Sequence, residues 1–523
     1  MAKKATENNV EKFSSQLSAK IWGHRFTDGQ RGPEYVLEFL NVLVGADYNL
    51  GSEKYLRNKS LGLRRFIFEG VKEGSKRSIV KLETDERQKL IETIQDENSL
   101  DAIQEFLRNL EVPLYDGRGK AADRSWYART LYPLHEALLY FEVRKKGDDT
   151  AYERNFFARG GELYFLMLYY GTEKNLETRE KIERRFRKLL TKNVPIEKIV
   201  TSINEALDYN STITSERPAY LYQTEEAKGE TPYLPVLDHP FYKQFAEELA
   251  TLIDNDIDIY ELFPLLTSLI TFQLMRYMYD RAKVSNEQKI DFFFDCIDGQ
   301  EQQILKLASS SFQKNDLLIK DKFEKSFKSN FEEKLSDIND IEEELTKWKE
   351  KPHDFLSLMG LTRLQSRKKT VERALQQCNS QEDIRGKLYN TVKDVVSDQL
   401  KRHQLSIIKI LVRDGGLGGY RTGTKYRYFM SDNFLQTLVY INVGPGETKE
   451  FSDFLESLYQ KYNIIIGEKA ARDNGLYEKS SINISYYQKN EQALREKLKK
   501  NGLLIEYSDA TAMIRNPYGA SEV

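Results

Sequence analysis

Cysteine is nearly absent, with Cys296 and Cys378 the two among 523 residues. That excludes a disulfide scaffold and a cysteine-rich zinc module, and it suits a reducing compartment. Histidine is scarce too: His24, His135, His239, His353 and His403. None shows the one-turn H-x-x-x-H spacing that places two ligands on one helix face, so no metal site and no cofactor are expected. His24 lies beside Trp22, Gly23 and Phe26, where a buried, hydrogen-bonded histidine is expected. Net charge is −2, from 79 cationic and 81 anionic side chains, so no global field draws the chain to nucleic acid. Any such contact must be a local patch. No window nears the ~20 apolar residues of a membrane span. The run LYFLMLYY at 163–170 reads instead as core helix. The opening MAKKATENNVEKFSSQ lacks an apolar signal core, and the expected address is the cytoplasm. No G-x-S-x-G elbow and no internal repeat occur.

What is abundant is charge, at 31%, and tyrosine, at 31 residues, beside an apolar share of 40% that can build real cores. Tyrosine at this level suits half-buried positions and interfaces, because the ring packs while the hydroxyl stays wet. The expected fold class is mainly α, a multi-domain helical protein with a C-terminal α+β region. Residues 1–20 are polar and expected to fray. Residues 21–210 read as one helical domain. In it Gly32-Pro33 starts an apolar helix carrying Tyr35, Leu37, Phe39, Leu40, Leu43 and Val44. Residues 61–78 read as an ordered basic loop. Residues 85–112 read as two amphipathic helices, with Asn98-Ser99 capping the second. Further helices are expected over 126–146, 153–171 and 177–193.

The proline-punctuated stretch 211–238 reads as a linker or long loop. Residues 239–381 read as a middle helical domain. Its charged segment 313–350 suits an exposed arm or hairpin, and Phe323, Phe327, Phe331 and Leu335 form a stripe at four-residue spacing. Packing on the chain's own body is preferred for this stripe over packing on a partner. Residues 382–523 form the last domain. A long helix precedes the glycine-rich segment, and 433–444 turns β-branched towards its end. Helices at 450–462 and 491–502 then lead to two strands within 503–518. Helix, helix and hairpin outline a winged-helix-like module.

The segment Asp414–Leu435, DGGLGGYRTGTKYRYFMSDNFL, holds five glycines, and a phosphate cradle is the first reading to test. A P-loop needs Lys directly after its second glycine; here Gly423 is followed by Thr424-Lys425, so order and spacing both fail. Two readings remain. Arg421, Lys425 and Arg427 alternate with Tyr420, Tyr426 and Tyr428, so cations could neutralise phosphates while rings stack on bases. The plainer reading is a surface loop whose tyrosines pack on their neighbours. A second basic-aromatic cluster joins Arg64, Arg65, Lys72, Lys76 and Arg77 with Phe66 and Phe68, again set against a simple solvated face. Candidate acids for a metal-dependent nuclease are Asp254, Asp256 and Asp258, or Asp116 with Glu142 and Lys145. A helix-to-helix turn explains the first set better. Glu142 falls in an expected helix, where nuclease chemistry of that type wants a strand.

Two stretches carry a resemblance. One is Trp22-Gly23-His24-Arg25-Phe26 with Gly29-Gln30, Glu34 and Phe39-Leu40; the other is Gly502–Ala510 with Asn516-Pro517-Tyr518. Together, over about a tenth of the chain, they resemble non-catalytic subunits of bacterial anti-phage defence clusters of the methylation- or phosphorothioation-linked type. The resemblance implies a partner or DNA-sensing subunit working beside an ATPase, helicase or nuclease. It brings no catalytic residue with it. The expectation is a non-enzymatic scaffold with a possible DNA contact and no membrane association; the alternative is a metal-dependent nuclease with a degenerate acidic site.

Overall fold

The structure is a computed structural model. It describes residues 13–24, 26, 29–57, 61–71, 79–115, 120–122, 124, 126, 129–139, 143–146, 149–152, 159–207, 219–221, 232–285, 287–359, 361, 367–420, 425–480, 482–507 and 511–521. The chain is mainly helical, with short strands in small sheets. Among the described residues, no helix is long and apolar enough to cross a membrane. Two compact units are present. The first gathers the residues up to Asp28, Met278–Ile290 and Gln313–Lys409; the second gathers Gly29–Tyr277, Asp291–Phe312 and Ile410–Val523. These boundaries do not coincide with the positions 210, 238 and 381 suggested by composition. Three of them fall inside the helices Ile259–Ala282, Gln302–Ser336 and Tyr389–Asp414.

The first unit is organised by the aromatic stripe. Phe323, Phe327, Phe331 and Leu335 are all buried, as one face of a long helix must be when it meets a neighbour at four-residue intervals. Phe327 stacks on Tyr389 at 5.7 Å and 14°, Phe331 meets the same ring edge-on, and Phe323 meets Trp22 at 5.1 Å. The stripe therefore packs on the chain itself. Trp22 is anchored further by its Nε1–H, which donates to the Met278 carbonyl at 3.1 Å. His24 is buried beside Phe26, as expected.

The second unit is built on helix crossings. The Gly32–Gly45 helix, with proline in its first turn, is buried along most of its length. The Gly160–Thr172 helix crosses it closely. A Cβ on Gly161 would lie 2.5 Å from the Phe39 nitrogen and 2.6 Å from the Tyr35 carbonyl oxygen, so only glycine allows this approach. Phe39 then packs edge-on to both Tyr164 and Phe186. A satellite core forms where Leu63, Phe66 and Phe68 meet Leu90, Leu107 and Val200.

At the C-terminal end, the helices Asp432–Asn442, Phe451–Tyr462 and Ile484–Lys500 accompany a three-stranded antiparallel sheet. In it Ala512–Arg515 lies between Leu504–Glu506 and Thr448–Glu450. Between the second and third of these helices, Ile464–Ile465 pairs in parallel with Phe292–Phe293. Asn490 ties helix to ladder, donating to the Phe294 and Ile466 carbonyls and accepting from the Cys296 N–H.

Several expectations are corrected. Residues 61–67 form a helix rather than a loop. The cap of the Glu97–Asn109 helix is Asp96, whose carboxylate accepts from the Asn98 and Ser99 N–H groups. The helix expected over 126–146 is absent from its described residues, which hold a 3-10 turn at Glu136–Leu138 and a strand at Val143–Lys146 paired with Asp149–Tyr152. Asp432–Asn442 stays helical to its end despite Val439 and Ile441, because Ser431 caps it and burial on several sides outweighs β-propensity. Most of the expected linker 211–238 lies outside the described residues.

Candidate functional site

Within the Asp414–Leu435 segment, Gly418–Gly419 and Arg427–Tyr428 pair as a short hairpin between the helix that ends at Asp414 and the helix that begins at Asp432. Asp414 is the last residue of its helix, and its carboxylate accepts the Gly32 N–H at 2.8 Å while pairing with Arg413. A carboxylate on the first free N–H of the Gly32–Gly45 helix satisfies an orphan donor and complements the helix dipole. Burial still pushes the Asp414 carboxyl above its ordinary range, and the Arg413 guanidinium opposes that push.

The glycines answer to packing. Gly416 takes φ +73°, and a Cβ there would fall 1.9 Å from the Ser431 hydroxyl; at Gly418 it would fall 2.4 Å from the Arg427 carbonyl. That closeness lets Gly418-Gly419 pair antiparallel with Tyr428 and Arg427. Close approach within the segment itself explains Gly416 and Gly418.

The candidate contacts then separate. Arg427 is fully buried and pairs with the equally buried Asp295 at 2.7 Å. Asp295 is itself held by the Ile297 N–H at 2.9 Å. A guanidinium so enclosed reaches no phosphate, so Arg427 leaves the set of surface contacts. Tyr428 is buried against Phe292, Phe294 and Phe312. Tyr426 sits on Phe312 at 4.4 Å and carries Tyr420 edge-on at 5.0 Å. Tyr420 is 62% exposed, and Lys425 is exposed as well. Arg421 lies outside the described residues. The structure thus brings Tyr420, Lys425 and Tyr426 together at the tip and places Arg427 in the base.

The other basic cluster does not assemble as one face among the described residues. Arg64 is buried, and Phe66 and Phe68 belong to the satellite core. Arg65 forms a two-pronged pair with Glu86 at 2.7 and 2.9 Å and donates to the Lys81 carbonyl. Lys72, Lys76 and Arg77 lie outside the described residues.

Two of the nuclease candidates are held in ion pairs. Asp254 pairs with Lys181 at 2.8 Å and Asp258 with Lys192 at 2.7 Å. Lys145 lies on a strand, while Asp116 and Glu142 lie outside the described residues. Among the described residues, no group of three His, Cys, Asp or Glu could hold a metal ion. The Nδ1 atoms of His135 and His239 accept from backbone N–H groups two residues on. Burial pushes the Cys296 thiol up to about 12, far from a reactive thiolate.

One constellation is assembled from residues far apart in sequence. Glu34, Glu38 and Glu162 are buried together in the second unit with Gln30, Arg124 and Arg159. Arg124 donates to both Glu34 oxygens at 2.8 Å, and the Arg31 N–H adds a contact at 2.7 Å. Glu38 accepts from Gln30 at 3.0 Å and from the Gly161 N–H at 2.7 Å. Glu162 is gripped by Arg159 and accepts from the Tyr55 hydroxyl. Burial dominates the carboxyl equilibria and raises Glu34 and Glu38 to about 7 each, despite the opposing Arg124 charge and hydrogen bonds. Carboxyls that titrate near neutrality have the acidity a general acid–base pair needs. Here all three are occupied by internal partners, and the arrangement cross-links two helices. Glu34 and Glu38 stand one turn apart, a spacing visible in sequence; their buried partners are not.

No protein-family model, no curated protein and no solved structure matches this chain.

Proposed function

We propose that the protein is a non-enzymatic, macromolecule-binding subunit of a bacterial anti-phage defence assembly, and that it touches nucleic acid through the tip of the Asp414–Leu435 hairpin. One observation carries the contact: Tyr420 stands exposed on a ring stack, Phe312–Tyr426–Tyr420, with Lys425 exposed on the same tip. A ring held by its neighbours stacks on a base at little entropic cost, and the adjacent cation offsets phosphate charge. The base of the hairpin is locked by Arg427–Asp295 and Asp414, which steadies the neighbouring Tyr420 and Lys425.

The C-terminal region reads as a winged-helix-like module. Its strand order, with 512–515 between 504–506 and 448–450, supports this, as does the helix Ile484–Lys500 that feeds the hairpin. Four of the five cations of that helix are already committed: Arg495 and Lys499 pair with Glu506, Lys497 with Asp298 and Lys489 with Glu301, which leaves Lys500 at its last turn. The nucleic-acid contact is therefore assigned to the Tyr420 tip and not to this helix. The partners are an ATPase, helicase or nuclease of the same assembly.

The test is fluorescence anisotropy with labelled single- and double-stranded DNA over a salt series. Replacing Tyr420, Arg421 and Lys425 together by alanine weakens binding, and losing two cations lowers the log–log salt slope by about 2. Binding with an unchanged slope in the folded triple variant removes this contact.

A further inference from the structure

Two hollows adjoin at the C-terminal end of the second unit and share Ser452 and Glu491 as a common wall. One is apolar and about 80 Å³, closed by Leu455, Tyr459, Ile464, Ile466 and Ala470. An engineered cavity that admits benzene has ~150 Å³. At roughly half that volume, the hollow suits the end of an aliphatic side chain better than a ring. The second hollow is polar and about 430 Å³, bounded by Glu450, Gln488, Gln492 and Ala512.

The charge around the pair is one-sided. Glu450, Glu456, Glu468, Asp473 and Glu491 face Lys469 and Arg495. Both cations are already paired, Lys469 with Glu456 at 2.8 Å and Arg495 with Glu506 at 3.0 Å. Such a rim repels phosphate and attracts cations. Glu491 is built into the shared wall. Its carboxylate accepts the Glu468 N–H, and a Cβ on Gly467 would lie 1.9 Å from its Oε2, so the glycine makes room for the acid.

We infer that the joined hollows bind a basic peptide segment of a partner protein, with an aliphatic side chain in the apolar hollow and a neighbouring lysine or arginine in the acidic one. An apolar anchor beside charge complementarity is the usual division of labour in peptide grooves: the anchor holds and the charge selects. This site stands apart from the Tyr420 tip and does not depend on the nucleic-acid contact.

The experiment uses the full chain and three short fluorescein-labelled peptides: one of alternating Leu and Lys, one with Ser for Leu, and one with Glu for Lys. The Leu/Lys peptide binds at least ~10-fold more tightly than either control, the step expected from burying one aliphatic side chain. Ala470→Phe fills the apolar hollow and weakens this binding by ~10-fold or more. Glu491→Gln weakens it by a smaller factor and reduces its salt dependence. Thermal melts establish that each variant is folded, and Glu491→Gln, which changes no volume, decides the matter if Ala470→Phe is not. Neither change alters DNA binding. Equal binding of the Ser/Lys peptide, equal binding of the Leu/Glu peptide, or no binding of the Leu/Lys peptide overturns the inference. So does full affinity in folded Ala470→Phe, or in Glu491→Gln when that variant alone is folded. Concentration-dependent self-association abolished by Ala470→Phe would assign the hollows to a second copy of the chain and overturn the partner peptide.

Discussion

Arg427→Met separates a structural cation from a surface one. The guanidinium and the Asp295 carboxylate are both fully buried at 2.7 Å, so removing the arginine leaves an anion without its counter-charge in the interior. Breaking a buried pair from one side costs ~3–5 kcal/mol. The loss should exceed that for an exposed lysine, since exposed pairs contribute only about 0–1 kcal/mol. Removing the second charge as well should recover much of it, because a neutral pair leaves nothing uncompensated. Asp295→Asn keeps an oxygen for the Ile297 N–H, which makes Arg427→Met/Asp295→Asn the informative double variant. Urea denaturation followed by circular dichroism reads the effect as a midpoint shift among wild type, both single variants and the double. The expected order is wild type, then the double, then Arg427→Met. A single variant with the wild-type midpoint and impaired DNA binding would return Arg427 to the surface and refute the packing described here. A double variant less stable than Arg427→Met would refute the uncompensated-charge explanation.

Three further outcomes follow from the geometry. Glu38 has its carboxyl raised from 4.5 to about 7, so its contribution to stability is complete below about 4.5 and is lost as pH rises through about 7. Glu38→Gln should therefore add up to about 3 kcal/mol at pH 8, add little at pH 4.5, and flatten the dependence of the thermal midpoint between them. Gly161→Ala forces a methyl against the Phe39 and Tyr35 backbone and should cost ~1–3 kcal/mol in the same denaturation assay. Phe331→Ala empties a buried position on the stripe and should cost ~3–5 kcal/mol; a change under about 1 kcal/mol would mean that the stripe faces solvent.

The legible parts of the fold were those written in local spacing. The Phe323–Leu335 stripe repeats every four residues, so a buried helix face could be read from it, with packing on the chain itself preferred over packing on a partner. Gly32-Pro33 marked a helix start because proline fits the first turn. What was not legible depends on distance along the chain. Arg427 looked like a surface cation because Asp295 lies 132 positions away. Glu34 and Arg124 are 90 positions apart, so nothing local identified a buried pair. The glycines of the hairpin fail as a phosphate cradle on order and spacing alone, but the Ser431 hydroxyl and the Arg427 carbonyl that crowd Gly416 and Gly418 are set by the folded chain and have no local signal. Of the tip, the alternation of Tyr420, Lys425 and Tyr426 was visible, and their ring stack on Phe312 was not.

The course of the chain through its two units bears on how any partner can be mapped. Each unit is assembled from stretches far apart in sequence, and positions 277, 312 and 409, where one stretch gives way to the next, lie within helical turns. Scissions there would cut a hydrogen-bonded helix and leave each fragment missing part of its own interior. Serial deletion would then report misfolding as loss of binding. For this protein the readable map is drawn by single surface substitutions in the intact polypeptide.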